Sequence, residues 1–321
     1  MKAVVQGGYG SADVLSLEEI DRPVPGADDV LVRVHAASIG AGDYFGMRGL
    51  PFPIRMVVGF PRPKKDYVVG LDLAGRVEAV GRNVTRFKPG DAVFGEGRGA
   101  CAEYACAHEG KLAHKPCNLT FEQVAALPTS ALAALHALRD HGKVQPGQKV
   151  LINGASGGVG TFAVQIAKVL GADLTGVCSP GNVDTVRSIG ADHVIDYTRE
   201  DFTQGDARYD LILDNVASRS FAEYRRVLAP GGTLIPSSGH AGMGYVVKAF
   251  LLSLFVRQQG RPFVSTPNPD DLSTLTGMVE SGRVAPVIDR TYPLSETAEA
   301  FRYLDQGHAR GKVVIVVADG E

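Results

Sequence analysis

The residues with the clearest chemical pattern are three glycines that stand between an apolar strand and an apolar helix. Lys149–Asn153 is predicted as a strand, and a helical spacing of apolar residues begins directly after the glycines. In that context glycines permit a sharp turn and a close approach of phosphate, while the helix offers free N–H groups. The pattern therefore predicts a dinucleotide site, and the alternative is a glycine-rich turn without a ligand. Its contact residues are Gly154, Ser156, Gly157, Gly158, Val159 and Gly160.

The end of the next predicted strand indicates which dinucleotide is preferred. Sites that prefer NAD place Asp or Glu there to bond the ribose 2′-hydroxyl. Here the segment reads Val177-Cys-Ser-Pro-Gly-Asn182 and contains no carboxylate. Ser179 and Asn182 are neutral hydrogen-bonding groups that would accept a 2′-phosphate, so we expect NADPH. Both residues would be ordinary turn residues if the site bound nothing.

An alternation of strands and helices must position these residues. Strands are predicted at 149–153, 174–178, 193–197, 209–214 and 232–236, with helices near 158–170, 180–189 and 218–228. Such βαβ units build a parallel sheet that is covered on both faces.

The flanking regions have a different pattern. Residues 1 to about 120 are rich in short strands, and 44–67 is predicted as a long loop without periodicity. A capping box at Thr120 and Gln123 opens a helix that Pro128 interrupts, and a second helix is expected over 130–139. Extended segments are expected at 284–289 and 312–317, with a helix near 295–306 between them. The apolar stretch 246–256 is a helix candidate for a pocket wall or for the interface of a homodimer.

The composition of the 321 residues limits the possible partners. Apolar residues make up 45% and charged residues 21%, which is ordinary for a globular protein. The net charge of −2 argues against a nucleic-acid partner or a large basic footprint for anionic membranes. No apolar run reaches the length of a membrane span. Four cysteines and the absence of an apolar leader predict a cytoplasmic protein with free thiols.

Several longer segments together resemble the medium-chain dehydrogenase/reductase superfamily, in its zinc-free quinone oxidoreductase branch. They are Tyr67–Gly81, Phe87-Lys-Pro-Gly-Asp91, the Gly154–Gly160 loop with Gln165-Ile-Ala-Lys168, Gly190–Tyr197 and Gly311-Lys-Val-Val314. The resemblance implies an α/β protein in which a doubly wound Rossmann sheet is inserted into a β-rich GroES-like catalytic domain. The implied catalytic domain covers 1–125 and is completed by 262–321, and the cofactor domain covers 126–261.

The same resemblance implies further cofactor contacts. Tyr197 would lie beside the 2′-phosphate, and Lys312 would approach the cofactor from the C-terminal stretch. The remaining implied contacts are Asn215, Ser238, Gly239, Phe263 and Val264.

Zinc can be judged against the zinc-binding members of this superfamily. They carry His-Glu where this chain has Leu71-Asp72, and Cys at or near the position of Ile39. Their structural zinc lobe needs four close cysteines, whereas only Cys101 and Cys106 stand in this region. Catalytic zinc usually needs three protein ligands, so we expect no metal.

Hydride transfer from NADPH to a quinone, an enone or a related carbonyl remains as the expected reaction. Tyr44 is the candidate proton donor, because Gly40-Ala-Gly-Asp-Tyr44 aligns with a family segment beside the nicotinamide; it could equally be a packing aromatic. Gly40 replaces the usual Asn, and Ala133 stands where relatives often have Thr. These losses keep open a second interpretation, an NADPH-binding structural protein with little turnover. A short-chain dehydrogenase is disfavoured, because no Tyr-x-x-x-Lys pattern occurs.

Overall fold

A computed structural model describes residues 1–237, 259–260 and 263–318. The chain forms two compact units. The first comprises Met1–Leu132, Thr266–Gly282 and Pro286–Glu321, and the second comprises Ala133–Ser265 and Arg283–Ala285. The predicted domain borders, after 125 and 261, lie a few residues from these divisions. The helix candidate 246–256 lies outside the described residues.

Fifteen strands and nine α-helices occur among the described residues. The strands are β1 Lys2–Gln6, β2 Leu15–Glu19, β3 Asp29–Ile39, β4 Asp72–Val80, β5 Ala92–Glu96, β6 Tyr104–His108, β7 Leu112–His114, β8 Lys149–Asn153, β9 Asp173–Cys178, β10 His193–Asp196, β11 Tyr209–Asp214, β12 Leu228–Pro236, β13 Gln259–Gly260, β14 Ile288–Pro293 and β15 Lys312–Val316. The helices are α1 Ala41–Arg48, α2 Arg55–Val58, α3 Phe121–Ala125, α4 Pro128–Leu135, α5 Gly158–Val169, α6 Val183–Ser188, α7 Phe221–Val227, α8 Pro269–Glu280 and α9 Thr297–Asp305.

The first unit is built on a mixed sheet with the order β14-β15-β3-β4-β5-β7, and β6 also pairs with β3. All pairs are antiparallel except β14 with β15. The long strand β3 lies in the interior of the sheet, where it pairs with β15, β4 and β6. Nearly all of its residues are buried, on both faces of the sheet. Val32, Val34, Leu73, Phe301 and Ile315 belong to one buried cluster against this sheet. The C-terminal strands therefore complete the N-terminal sheet.

The second unit contains a six-stranded parallel sheet with the order β10-β9-β8-β11-β12-β13. Its first strand, β8, lies in the middle; the chain adds β9 and β10 on one side and β11 to β13 on the other. This is the strand order of a doubly wound Rossmann sheet. The predicted strands at 149–153 and 209–214 are confirmed residue by residue, and the fold class is confirmed.

Two predictions about local structure were wrong. The segment 44–67 is not a plain loop, because it contains most of α1, a 3₁₀ turn at Phe52–Ile54 and α2. These elements are short, and tertiary contacts such as the burial of Met47 stabilise them, so no long apolar period marks them. The extended segment expected at 284–289 begins only at Ile288. Pro286 has no N–H to donate to a strand ladder, which accounts for the later start.

Candidate functional site

The second unit reverses its strand order between β8 and β11, and the glycine loop follows β8 at this point. Ligands of open parallel sheets bind at such a switch, beyond the carboxyl ends of the strands. Gly154 has a φ of +79°, a conformation that favours glycine, and its N–H donates to the carbonyl of Val177 at 3.1 Å. A Cβ on Gly160 would lie 2.0 Å from the Gly154 carbonyl oxygen. The loop and the start of α5 therefore require glycine at both positions.

Gly157 stands at the N-cap of α5, where no side chain caps the helix. A Cβ there would contact only the Gly154 carbonyl oxygen, at 3.5 Å, so the space above this residue is open. Gly158 and Val159 form the first turn of α5 and are half-buried. An open cradle at an uncapped helix N-terminus fits the pyrophosphate of a dinucleotide, because N–H groups and the helix dipole both favour an anion.

The loop after β9 is linked to the glycine loop by side-chain hydrogen bonds. The buried amide of Asn182 donates to the hydroxyl of Ser179 at 2.9 Å and to that of Ser156 at 3.1 Å. The backbone N–H of Tyr197 donates to the carbonyl of Cys178 at 3.2 Å, which brings this half-exposed tyrosine to the end of β9. The structure thus places the four predicted residues Ser156, Ser179, Asn182 and Tyr197 around one strand end.

Asn215, directly after β11, has the least satisfied side chain of this region. Among the residues that the structure describes, neither its amide nitrogen nor its amide oxygen has a hydrogen-bond partner, although both atoms are buried. The neighbouring Asn153 is fully engaged, since its amide donates to Asp214 and to the hydroxyl of Tyr224, both at 3.0 Å. Buried polar groups nearly always have partners. A buried amide without one, at the strand-order switch, fits a site for the polar groups of a nicotinamide ribose.

The remaining predicted contacts of the second unit are less defined. Ser238 and Gly239 lie outside the described residues. The ring of Phe263 lies 5.0 Å from that of His141, centroid to centroid, and Val264 is largely exposed. Neither side chain offers a polar group, so any cofactor contact of this segment would use backbone atoms.

The first unit contains a buried charged network that sequence reasoning missed. The ammonium of Lys312 lies 3.3 Å from the Asp72 carboxylate and 3.0 Å from the Ser130 hydroxyl, and both charged side chains are almost fully buried. Asp72 also accepts hydrogen bonds from the Ser38 hydroxyl and from the backbone and hydroxyl of Thr129. A buried ion pair needs such additional bonds to offset its desolvation. The available signal was a charged residue at the first position of each strand, Asp72 in β4 and Lys312 in β15, each next to apolar residues.

Asp43 lies close to this network, in the first turn of α1. Its carboxylate accepts the N–H of Gly40, the N-cap residue of the helix, at 2.9 Å. Desolvation, and after it the negative charge of Asp72, raises the pKa of Asp43 to about 7, although the N–H of Gly40 and the charge of Lys312 oppose the shift. A Cβ on Gly40 would lie 3.7 Å from the Lys312 ammonium. The cluster thus contains two carboxyl groups, those of Asp43 and Asp72, and one cation, Lys312.

Tyr44, the candidate proton donor, follows on the same helix. Its hydroxyl donates to Asp305 at the end of α9, and Arg48 donates to both oxygens of that carboxylate, at 2.7 and 2.8 Å. Desolvation and the Asp305 hydrogen bond raise the pKa of Tyr44, so the phenol keeps its proton at neutral pH. The structure therefore shows Tyr44 as a protonated hydroxyl with a carboxylate partner.

No cluster of three or more His, Cys, Asp or Glu with metal-binding geometry occurs among the described residues. Asp72 is committed to Lys312. Burial raises the pKa of the Cys101 thiol, which disfavours the thiolate that a metal would need. Within the same part of the chain, no helix is long and apolar enough to cross a membrane.

Comparisons with known proteins agree with this architecture. Residues 26–136 match the family model of the alcohol dehydrogenase GroES-like domain, and residues 189–315 match that of zinc-binding dehydrogenases. A 2-methylene-furan-3-one reductase of Solanum lycopersicum is 35% identical over 98% of this chain and 79% of its own. An NADPH-dependent alkenal/one oxidoreductase of Arabidopsis thaliana, chloroplastic, shows the same identity and coverage. The solved quinone oxidoreductase of Coxiella burnetii has a TM-score of 0.89 and 29% identity, with 99% of each chain covered.

These similarities extend over nearly the whole chain. They include both the glycine loop of the second unit and the sheet of the first unit. The chain therefore belongs to the medium-chain dehydrogenase/reductase superfamily, in its quinone oxidoreductase-like branch, and is an oxidoreductase that uses a nicotinamide cofactor.

Proposed function

We propose that this oxidoreductase transfers hydride from NADPH to a quinone, an enone or a related carbonyl compound, without zinc. The observation that carries the cofactor assignment is the amide of Asn215 beside the glycine cradle at the strand-order switch, which is buried and has no partner within the described part of the chain. The names of the tomato, Arabidopsis and Coxiella proteins support the substrate class, because they denote reductases of enones or quinones. When bound, NADPH supplies the hydride, and the protein supplies position, desolvation and a proton.

In this proposal each predicted contact binds one part of the cofactor. The loop Gly154–Gly160 binds the pyrophosphate, with Ser156, Gly157, Gly158 and Val159 as its middle residues. The 2′-phosphate is bound by Ser179, Asn182 and Tyr197. Since Ser179 accepts the Asn182 amide, its own O–H is left to donate to that phosphate. The nicotinamide end is bound by Asn215, Ser238, Gly239 and the backbone of Phe263 and Val264. Lys312, the last contact that the resemblance implies, is paired with Asp72 and Ser130 inside the first unit, so no cofactor group is assigned to it.

Tyr44 is the proposed proton donor for the oxygen that gains charge when hydride arrives. The proximity of Asp305 and Arg48 supports this role, because the pair fixes the hydroxyl and its charges nearly cancel. The raised pKa of Tyr44 keeps the proton available across the neutral range. To donate it, the hydroxyl exchanges Asp305 for the substrate oxygen as its acceptor.

Two wider properties belong to the same proposal. We place the protein in the cytoplasm; its four cysteines are all free thiols, which suits a reducing compartment. A homodimer stays a prediction, and light scattering of the purified protein tests it.

The test is consumption of NADPH by the purified protein, measured with a panel of quinones, enones and saturated aldehydes. Turnover is expected with quinones or enones, and prolonged treatment with a chelator should leave it unchanged. Stoichiometric zinc whose removal abolishes activity would contradict the zinc-free mechanism. Tight NADPH binding without turnover of any compound would favour a structural role instead.

A further inference from the structure

An unusual concentration of exposed apolar side chains lies in the segment 50–60 of the first unit. Ten large apolar residues are strongly exposed among the described residues, and five of them fall within these eleven positions. We call these five the apolar patch: Leu50, Phe52, Met56, Val57 and Phe60, each more than half exposed. The rings of Phe52 and Phe60 meet edge to face with centroids 5.8 Å apart. Exposed apolar side chains concentrated in one segment in this way indicate an interaction site.

The segment 50–60 is held in place by contacts of its other residues, so the exposure of the apolar patch is a property of the folded chain. Val58 and Met47 are buried. The hydroxyl of Tyr9 donates to the carbonyl of Gly59, and the guanidinium of Arg55 donates to that of Gly49 at 3.0 Å. These contacts hold the backbone of the segment, and the side chains of the apolar patch remain exposed to solvent.

The same segment is strongly basic. Five cations and no carboxylate occur in the stretch 48–65, while the whole chain has a net charge of −2. Arg48 is paired with Asp305, and the ammonium of Lys65 lies 4.0 Å from Asp66. Arg62 and Lys64 are exposed, and within the described residues no carboxylate is paired with either. The low net charge of the chain therefore conceals a local basic surface.

We propose that the apolar patch with Arg62 and Lys64 docks the protein on the surface of an anionic lipid bilayer. Apolar side chains flanked by cations suit the interfacial layer, where the former enter the acyl boundary and the latter meet lipid phosphates. A second copy of the chain fits less well, since a two-fold contact would place each basic segment against its own copy. This peripheral docking goes beyond the proposed reaction and does not depend on it.

The test is co-sedimentation of the full-length protein with vesicles, without cofactor or substrate. Binding is expected to vesicles of phosphatidylcholine mixed with phosphatidylglycerol, weakly or not at all to pure phosphatidylcholine, and should decrease as salt rises. Two variants test the two components: F52S/M56S/V57S removes apolar surface, and R62E/K64E reverses two charges. Each should lower the partition coefficient at least about tenfold.

Matched controls carry the same kind of change elsewhere on the surface. L17S/V24S removes exposed apolar residues, and R82E/K149E reverses two exposed cations. Both controls should bind vesicles like the unmodified protein, and thermal melting should confirm that all variants are folded. Absence of vesicle binding, or equal losses in test and control variants, would overturn the proposal. If the unmodified protein self-associates and F52S/M56S/V57S abolishes this, the patch contacts a second copy instead. If the unmodified protein binds no lipid and F52S/M56S/V57S raises the KM for quinone, the patch binds the substrate instead.

Discussion

At the scale of single residues, the site combines groups whose ordinary chemistry is altered by their neighbours. Both amide atoms of Asn215 are buried without a partner among the described residues, Tyr44 shares the Asp305 carboxylate with Arg48, and Asp43 is desolvated beside Asp72. The first and third arrangements cost stability in the free protein, because polar groups lack partners or like charges approach. Such costs are typical of positions kept for binding or catalysis.

The cofactor preference depends on the end of β9. A hydrogen bond to a charged phosphate contributes about 1.5–3 kcal/mol, and about 1.4 kcal/mol corresponds to a factor of ten. We expect NADPH to bind about tenfold more tightly than NADH, the low end of this range, since Gly181 offers no cation. Ser179→Asp should reverse the preference by repelling the 2′-phosphate and accepting the ribose hydroxyl of NADH. Dissociation constants of both cofactors for both proteins measure this; tighter NADH binding by the unmodified protein would refute the assignment.

The carboxyl of Asp43 should make stability depend on pH. Its pKa is raised to about 7 in the folded state from an ordinary value near 3.8. Between these values the folded protein keeps a proton that the unfolded chain has released. The free energy of unfolding therefore falls, by up to about 1.4 kcal/mol per pH unit from this group, as the pH rises through that window.

Asp43→Asn should remove this fall, because the amide oxygen still accepts the Gly40 N–H and nothing titrates. Urea denaturation midpoints measured at about pH 5 and about pH 7.5, which bracket the upper part of this window, should shift in favour of the variant at the higher pH. Asp206→Asn, at an exposed position, is the matched control and should show no such difference. An identical pH dependence of Asp43→Asn and the unmodified protein would show that Asp43 is ionised when folded.

Tyr44→Phe tests the proton donor without removing the aromatic ring. General acid catalysis contributes roughly 10²–10⁴-fold, so kcat for an enone should fall by at least about tenfold while cofactor binding changes little. The control is Tyr303→Phe, since Tyr303 also donates to a carboxylate, that of Asp289 at 2.6 Å, in the same unit. Equal activity of both variants would return Tyr44 to a packing role.

At the scale of elements, the glycine loop between β8 and α5 is the part that the proposal needs most. Gly157→Val places a side chain in the open space above the helix N-terminus, where its Cβ contacts only the Gly154 carbonyl at 3.5 Å. The fold should therefore persist while NADPH binding weakens by at least about tenfold, or about 1.4 kcal/mol. Gly277→Val, in α8 with open space around its Cβ, is the control. Calorimetry and thermal melting separate the two effects; unchanged NADPH affinity would show that the cradle does not hold the pyrophosphate.

Elements with strong periodicity could be predicted from the sequence, and elements held by tertiary contacts could not. The apolar run of β8 and the helical spacing of α5 carry their own signal, and both lie where they were expected. The helix α1 is only eight residues long and contains two glycines, so the hydrogen bond from Gly40 to Asp43 and the burial of Met47 stabilise it more than any local pattern does. The Lys312–Asp72 pair joins β15 to β4 across the sheet, a contact of 240 residues in sequence separation that no local pattern reveals.

At the scale of the whole molecule, a chain with ordinary composition and low net charge forms two units, each built on its own sheet. The parallel sheet of the second unit supplies the strand-order switch, and the first unit closes its sheet only when β14 and β15 return from the C-terminal end. The insertion was predictable because family segments occur on both sides of the glycine loop. The exposure of the apolar patch beside the basic segment was not, since a sequence does not show which apolar side chains stay outside the core.

The proposed function depends on direct transfer of hydride from NADPH to the substrate, and isotope transfer distinguishes this step from other routes. An enone is reduced with NADPH that carries deuterium at the transferable position of its nicotinamide, in the presence of a chelator, and the product is analysed by mass spectrometry. We expect one deuterium on carbon in the product, with a rate unaffected by the chelator. A product formed without deuterium on carbon, or no product once metal is removed, would contradict it.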